Sequence, residues 1–177
     1  MKFNQDSSIF SLKDIELIAF DFDGIFTDDK VYVNEDGKES VACSRIDSLG
    51  IAVLLKEIER IQSNTRVLVV STETNNVVRA RCKKMKLEAY TGISNKADFI
   101  LDFTQKYGLN LKFSIFAGND LNDLAAMSLF GLRFAPSNAD IQIKKIATNN
   151  LKSFGGNGFI RELVELIAPE AFISFQL

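Results

Sequence analysis

Short apolar runs of strand length recur at 15–20, 66–70, 87–90, 113–117 and 131–135, separated by segments with helical spacing or turn residues. The helical segments are legible. Ile51, Leu54, Leu55, Ile58 and Ile61 follow i, i+3, i+4, i+7, i+10; Val78, Cys82 and Met85 follow i, i+4, i+7; Ile160, Leu163, Val164 and Ile167 repeat the first spacing. A further helix is expected over 94–107, entered at Ser94 or Asn95 as cap and stopped at Gly108, and a shorter one near Leu121. Strands alternating with helices predict an α/β fold, a Rossmann-like three-layer sandwich with a mostly parallel sheet. At 28–45 the pattern changes: Val31, Tyr32 and Val33 and then Glu39 to Ala42 flank an Asn-Glu-Asp-Gly turn. That reads as a β-hairpin, either a flap over the strand ends or an ordinary edge hairpin. No repeat, low-complexity tract or linker divides the chain, so a single domain over 1–177 is expected, with the hairpin flap at 28–45.

Composition narrows the function. The 177 residues, 46% hydrophobic and 25% charged, can bury one sizeable core. A formal net charge of −2 and a pI near 5.3 argue against nucleic-acid or anionic-membrane partners, which need a basic footprint. No run approaches the roughly 18 apolar residues of a membrane span. The opening stretch MKFNQDSSIFSLKD has acids and amides where a secretory signal has its apolar core, so a cytoplasmic protein is expected. Cys43 and Cys82 are too few and too far apart for a metal cluster or disulfide framework and are expected as buried thiols. There is no histidine. Acid–base work therefore falls to carboxylates and lysines, and oxygen-ligand metals such as Mg²⁺ become the default.

Candidate chemistry is concentrated in the run 15–28, IELIAFDFDGIFTD. An apolar strand that stops at Asp21, resumes with Asp23 and breaks at Gly24 puts both acids on one side of the chain at a strand's carboxyl end. Open α/β sheets carry their active sites there. Ser71 follows the strand at 66–70, where its hydroxyl could serve a phosphoryl oxygen or simply make a turn. Lys96 sits near a helix start, where the dipole disfavours a cation, so either a functional demand or a solvated surface position explains it. Ala117 to Asp123, AGNDLND, clusters acids and amides beyond a strand, as a divalent cation requires.

The spacing DxDGxxTD resembles the haloacid dehalogenase superfamily of phosphotransferases. The resemblance implies that Asp21 attacks phosphorus to form an aspartyl-phosphate, that Asp23 protonates the leaving alcohol and then activates water, and that Lys96 neutralises the nucleophile and the transferring group. It also implies that Ser71, Thr72 and Gly24 contact the substrate, and that Mg²⁺ is held by Asp21, the Asp23 backbone carbonyl and Asn119 or Asp120, with Asp123 as a possible substitute. Relatives commonly have Gly-Asp-Asp where this chain has Gly118-Asn119-Asp120, a departure that lowers the charge of the metal site.

Further segments, SRIDSLGI, STETNNVVRARCKK, SNKA and GGNGFIREL, resemble the small cap-less branch of the superfamily. That branch includes octulosonate 8-phosphate and nonulosonate 9-phosphate phosphatases and the module fused to some N-acylneuraminate cytidylyltransferases. A small acidic sugar phosphate is the implied substrate. Ser71-Thr72-Glu73-Thr74 and Gly118-Asn119-Asp120 favour a nonulosonate 9-phosphate over the octulosonate phosphate. Arg45 and Arg161 are candidates for a substrate carboxylate, each with a surface-charge alternative. With no insertion long enough for a cap, a homotetramer with shared active sites is expected, the hairpin lying in the interface. Two other readings remain at this point: an inactive assembly module, motivated by Asn119, and a phospho-accepting receiver domain.

Overall fold

The computed structural model describes residues 11–174. Residues 1–10, part of the stretch read as unlike a secretory signal, lie outside it. Among the described residues no helix is long and apolar enough to cross a membrane. In chain order the elements are β1 (Leu17–Phe20), β2 (Tyr32–Val33), β3 (Glu39–Ser40), α1 (Arg45–Arg60), β4 (Arg66–Val70), α2 (Asn76–Met85), β5 (Glu88–Tyr90) and α3 (Lys96–Tyr107). Then follow β6 (Ser114–Ala117), α4 (Leu124–Met127), β7 (Leu132–Ala135), α5 (Ile141–Ile146), β8 (Asn149–Asn150), α6 (Phe159–Ile167) and α7 (Pro169–Ser174). The expected Rossmann-like sandwich is present: a parallel six-stranded sheet in the order β5-β4-β1-β6-β7-β8, with helices on both faces and a separate antiparallel hairpin, β2-β3.

Alternation along the strands sorts the core into two layers. Ile18, Phe20, Val67, Val69 and Ile115 face Ile51, Leu54, Val78, Ile160 and Leu163 of α1, α2 and α6. On the other face Leu17, Ala19, Leu68, Val70 and Phe116 meet Ile100, Phe103, Met127 and Ile143 of α3, α4 and α5. β1 is buried at every position, as a central parallel strand covered twice must be. The chain winds outward from β1 through β4 to β5, then returns to pair β6 against the other side of β1. The strand order thus reverses between β1 and β6, and a crevice opens at their carboxyl ends.

The five periodicity-predicted strands match observed ones, while three short elements escaped. β8 is two exposed asparagines, and α5 and α7 are six residues each, too short for a stripe to register. The helix near Leu121 is a 3₁₀ turn, Leu121–Asp123, leading into the four residues of α4. Asn95 is the cap of α3, its side chain accepting from the amides of Ala97 and Asp98, and Gly108 ends the helix in the left-handed region. Cys82 is buried, but Cys43 is only half-buried because it sits at the hairpin base, bridged to Thr27.

Candidate active site

Asp21 stands at the first position beyond β1, its amide donating to the Ala117 carbonyl of β6 at 2.9 Å. The strand pairing itself therefore aims the side chain into the crevice. Lys96, the first residue of α3, enters from the other side: Nζ lies 2.6 Å from Asp21 Oδ1 and 2.7 Å from Asp123 Oδ1. The three side chains are almost wholly excluded from solvent, at 6%, 1% and 0% exposure for Asp21, Lys96 and Asp123, so each charge depends on the others. Burial opposes the ammonium, yet the two carboxylates outweigh it and hold Lys96 above its ordinary value. Burial, then the Asp123 charge, push Asp21 above the usual carboxylate range, against the pull of Lys96.

Asp23 is half-buried at the crevice mouth. Burial, then the negative charges of Glu73 and Asp29, push its carboxyl up to about 6 against the opposing effects of Lys96 and Thr27. A carboxyl that keeps its proton where an ordinary aspartate has lost it is suited to proton donation. Between the two acids and the hairpin lies an open cleft of about 270 Å³, lined among others by Asp29, Lys30, Glu39, Thr72 and Glu73. Glu39 of the hairpin accepts from Asn75 Nδ2 at 3.0 Å, which ties β3 to the entry of α2.

The remaining predicted residues divide. Ser71 is buried and its hydroxyl accepts from the Glu73 amide at 3.1 Å, shaping the turn that brings Thr72 into the cleft. Gly24, at φ +75°, lies against Asn119, whose amide nitrogen would sit 2.0 Å from any Cβ placed there. Asp120 is exposed and its Oδ1 accepts from the Leu121 amide at 2.7 Å. Arg45 is exposed on the first turn of α1, away from the residues lining the cleft. Arg161 is turned elsewhere, its Nε donating to Glu165 at 2.7 Å while the guanidinium stacks over Phe172 at 4.1 Å. Two contributors take roles that the sequence reading did not give them. Asp123, weighed only as a metal ligand, is the second partner of Lys96 and also accepts from the Asn119 amide at 2.9 Å. Thr27, present in the DGxxTD string, holds the turn after Asp23 by accepting from the Gly24 amide at 3.1 Å.

The donors fit a divalent cation. The Asn119 side-chain oxygen is buried without a hydrogen-bond partner, a costly state unless something accepts its lone pairs. Two buried carboxylates share one ammonium, leaving a negative surplus beside Asp23. Hard oxygen donors of this kind suit magnesium.

Comparison with known proteins agrees with this geometry. Residues 56–163 match the haloacid dehalogenase-like hydrolase family. The chain belongs to that family. A Streptomyces avermitilis protein assigned to the HAD hydrolases is 34% identical, with a TM-score of 0.83 over 91% of this chain and 90% of its own. The 3-deoxy-D-manno-octulosonate 8-phosphate phosphatase of Moraxella catarrhalis, solved with magnesium, phosphate and KDO, is 28% identical, with a TM-score of 0.83 over 92% and 93% of the two chains. The Haemophilus influenzae enzyme of the same name, KdsC, is 26% identical over 157 residues, covering 88% of this chain and 84% of that enzyme. This chain is thus a haloacid dehalogenase-like hydrolase whose oxygen donors suit a divalent cation.

Replacing the central cation tests the triad. Lys96→Met leaves two carboxylates buried without their counterion and is expected to lower stability by about 3–5 kcal/mol, read by urea unfolding. A change below about 1 kcal/mol, the size of a surface pair, contradicts the buried-triad account.

Proposed function

We propose that the protein is a Mg²⁺-dependent phosphomonoesterase that hydrolyses a small acidic sugar phosphate through an aspartyl-phosphate on Asp21, in cytoplasmic glycan-precursor synthesis. The observation that carries this reading is Asp21 held 2.6 Å from Lys96, with Asp23 two residues on at the mouth of the same cleft. Asp21 would attack phosphorus in line as the alcohol leaves, and Lys96 would offset the charge on the transferring group. Asp23 would give its proton to the departing oxygen and then take one from the attacking water. Asp21, the Asp23 carbonyl and Asn119 would hold magnesium, which would supply electrostatic stabilisation of phosphoryl oxygens.

Carbon-chain length is the finer question. Glu73 in the cleft and Asn119 support a nonulosonate 9-phosphate, and the relatives named above support the octulosonate 8-phosphate. The cleft is open to solvent. That openness, together with Val31, Tyr32 and Val33 standing 53–59% exposed on the hairpin, supports a homotetramer in which neighbours complete one another's sites.

Three experiments bear on this reading. Asp21→Asn should abolish release of inorganic phosphate from both ulosonate phosphates with the circular dichroism unchanged, because an amide is too poor a nucleophile; wild-type turnover in that variant would rule the mechanism out. Asn119→Asp should tighten Mg²⁺ binding by about tenfold in calorimetric titration, through the added carboxylate, while Asp120→Asn leaves it unchanged. The reverse order of effects would move the ligand role to Asp120. Tyr32→Asp should lower both the mass seen in light scattering and the activity, and a fully active monomer would remove the shared-site proposal alone.

A further inference from the structure

Helix α6 is entered from Gly158, which has φ +95° and no side chain with which to cap the first turn. The amides there need acceptors, and the positive end of the helix favours an anion. Asp47, on the first turn of α1 and only 1% exposed, supplies both: Oδ2 accepts from the Gly158 amide at 3.0 Å and Oδ1 from the Arg161 amide at 3.1 Å. A buried carboxylate on one helix therefore caps another that lies more than a hundred residues further along the chain.

What α6 anchors is the Gly-rich loop 155–158, and that loop presses on the turn behind the catalytic acids. The Gly156 amide donates to the Ile25 carbonyl at 2.9 Å. Gly155 comes so close to Gly24 that a Cβ would lie 1.7 Å from the Gly24 carbonyl oxygen. Within the braced turn Thr27 is fully buried, and its oxygen accepts from the Asp29 amide at 3.2 Å and from the amide of Gly24, the residue that directly follows Asp23, at 3.1 Å. We infer that Asp47 is a positioning residue for the acid–base step: through the N-terminus of α6 and the loop 155–158, it fixes the turn that aims Asp23 at the leaving oxygen. The inference rests on the phosphatase reading of the site. It gives Asp47 a role although its side chain is remote from the cleft.

Leaving-group chemistry separates this role from plain structural support. A sugar alkoxide needs the proton of Asp23 on departure, whereas p-nitrophenolate leaves without it. Asp47→Asn keeps the shape but turns an N–H toward one of the amides it should accept from. It is expected to lower kcat for the sugar phosphate by about tenfold or more, with KM and the p-nitrophenyl phosphate rate within about threefold, since misplacement by a fraction of an ångström suffices. Gly155→Ala pushes on the same turn from the loop side and should give the same pattern, and the double variant should lose less than the product of the two. Amides of the 24–29 turn should exchange faster with deuterium in Asp47→Asn than in wild type, while those of β1 and β6 keep their protection. Equal losses on the two substrates, or unchanged exchange in the turn, would overturn the inference. If Asp47→Asn does not fold, Gly155→Ala decides by the same substrate comparison. Should the wild-type protein hydrolyse neither phosphate, the phosphatase reading fails, and the exchange measurement still judges the brace.

Discussion

The Lys96 ammonium between Asp21 and Asp123 is the contact on which the site depends. All three side chains are cut off from water, so neither carboxylate can carry its charge in the crevice without the cation, and the cation cannot be buried without them. Satisfying that requirement fixes three separate segments against one another: the end of β1, the first turn of α3 and the loop after β6. It also leaves a negative surplus facing the mouth of the crevice, where a divalent cation and a phosphoryl group would sit. Stability and chemistry here draw on the same charges.

The fold makes that contact possible by the way the sheet is wound. Because the chain returns to the centre at β6 after building β4 and β5 outward, the ends of β1 and β6 are neighbours without a helix crossing above them. The apolar strands supply rigidity: β1 is buried on both faces, and its register with β4 and β6 sets where Asp21 emerges. Packing of the hairpin is a different matter. Its outer residues are exposed and its two strands are two residues each, so it is held mainly at its base by the Thr27–Cys43 bridge and at Glu39 by Asn75.

Behind the acids, the turn 24–28 is supported from the opposite side of the molecule. Asp47, the start of α6 and the loop 155–158 form a continuous path of hydrogen bonds and close backbone contact to Gly24, Ile25 and Thr27, the turn that directly follows Asp23. Gly155 and Gly156 thus serve close backbone approach to that turn.

Much of this was legible in the linear order of residues. Apolar runs bounded by turn residues located the five main strands, because central parallel strands must be apolar on both faces, and DFDG announced two acids at a strand end. Asn95 and Gly108 bounded α3 because capping and left-handed termination are local effects. Elements without a local signature were not readable: β8 is a pair of asparagines that becomes a strand only by pairing with β7. The site's partnerships were hidden for the same reason. Nothing in the spacing says that Lys96 would bridge to Asp123 as well as Asp21, that Arg161 would turn away to Glu165, or that Asp47 would cap a helix beginning at position 158. The sequence determined which residues could carry charge and where strands and helices would form, since those follow from short-range periodicity and backbone chemistry. Which charges meet, which are buried and which oxygen is left without a partner were decided only by the tertiary structure, because exclusion of water by distant segments is what gives each of those groups its energy.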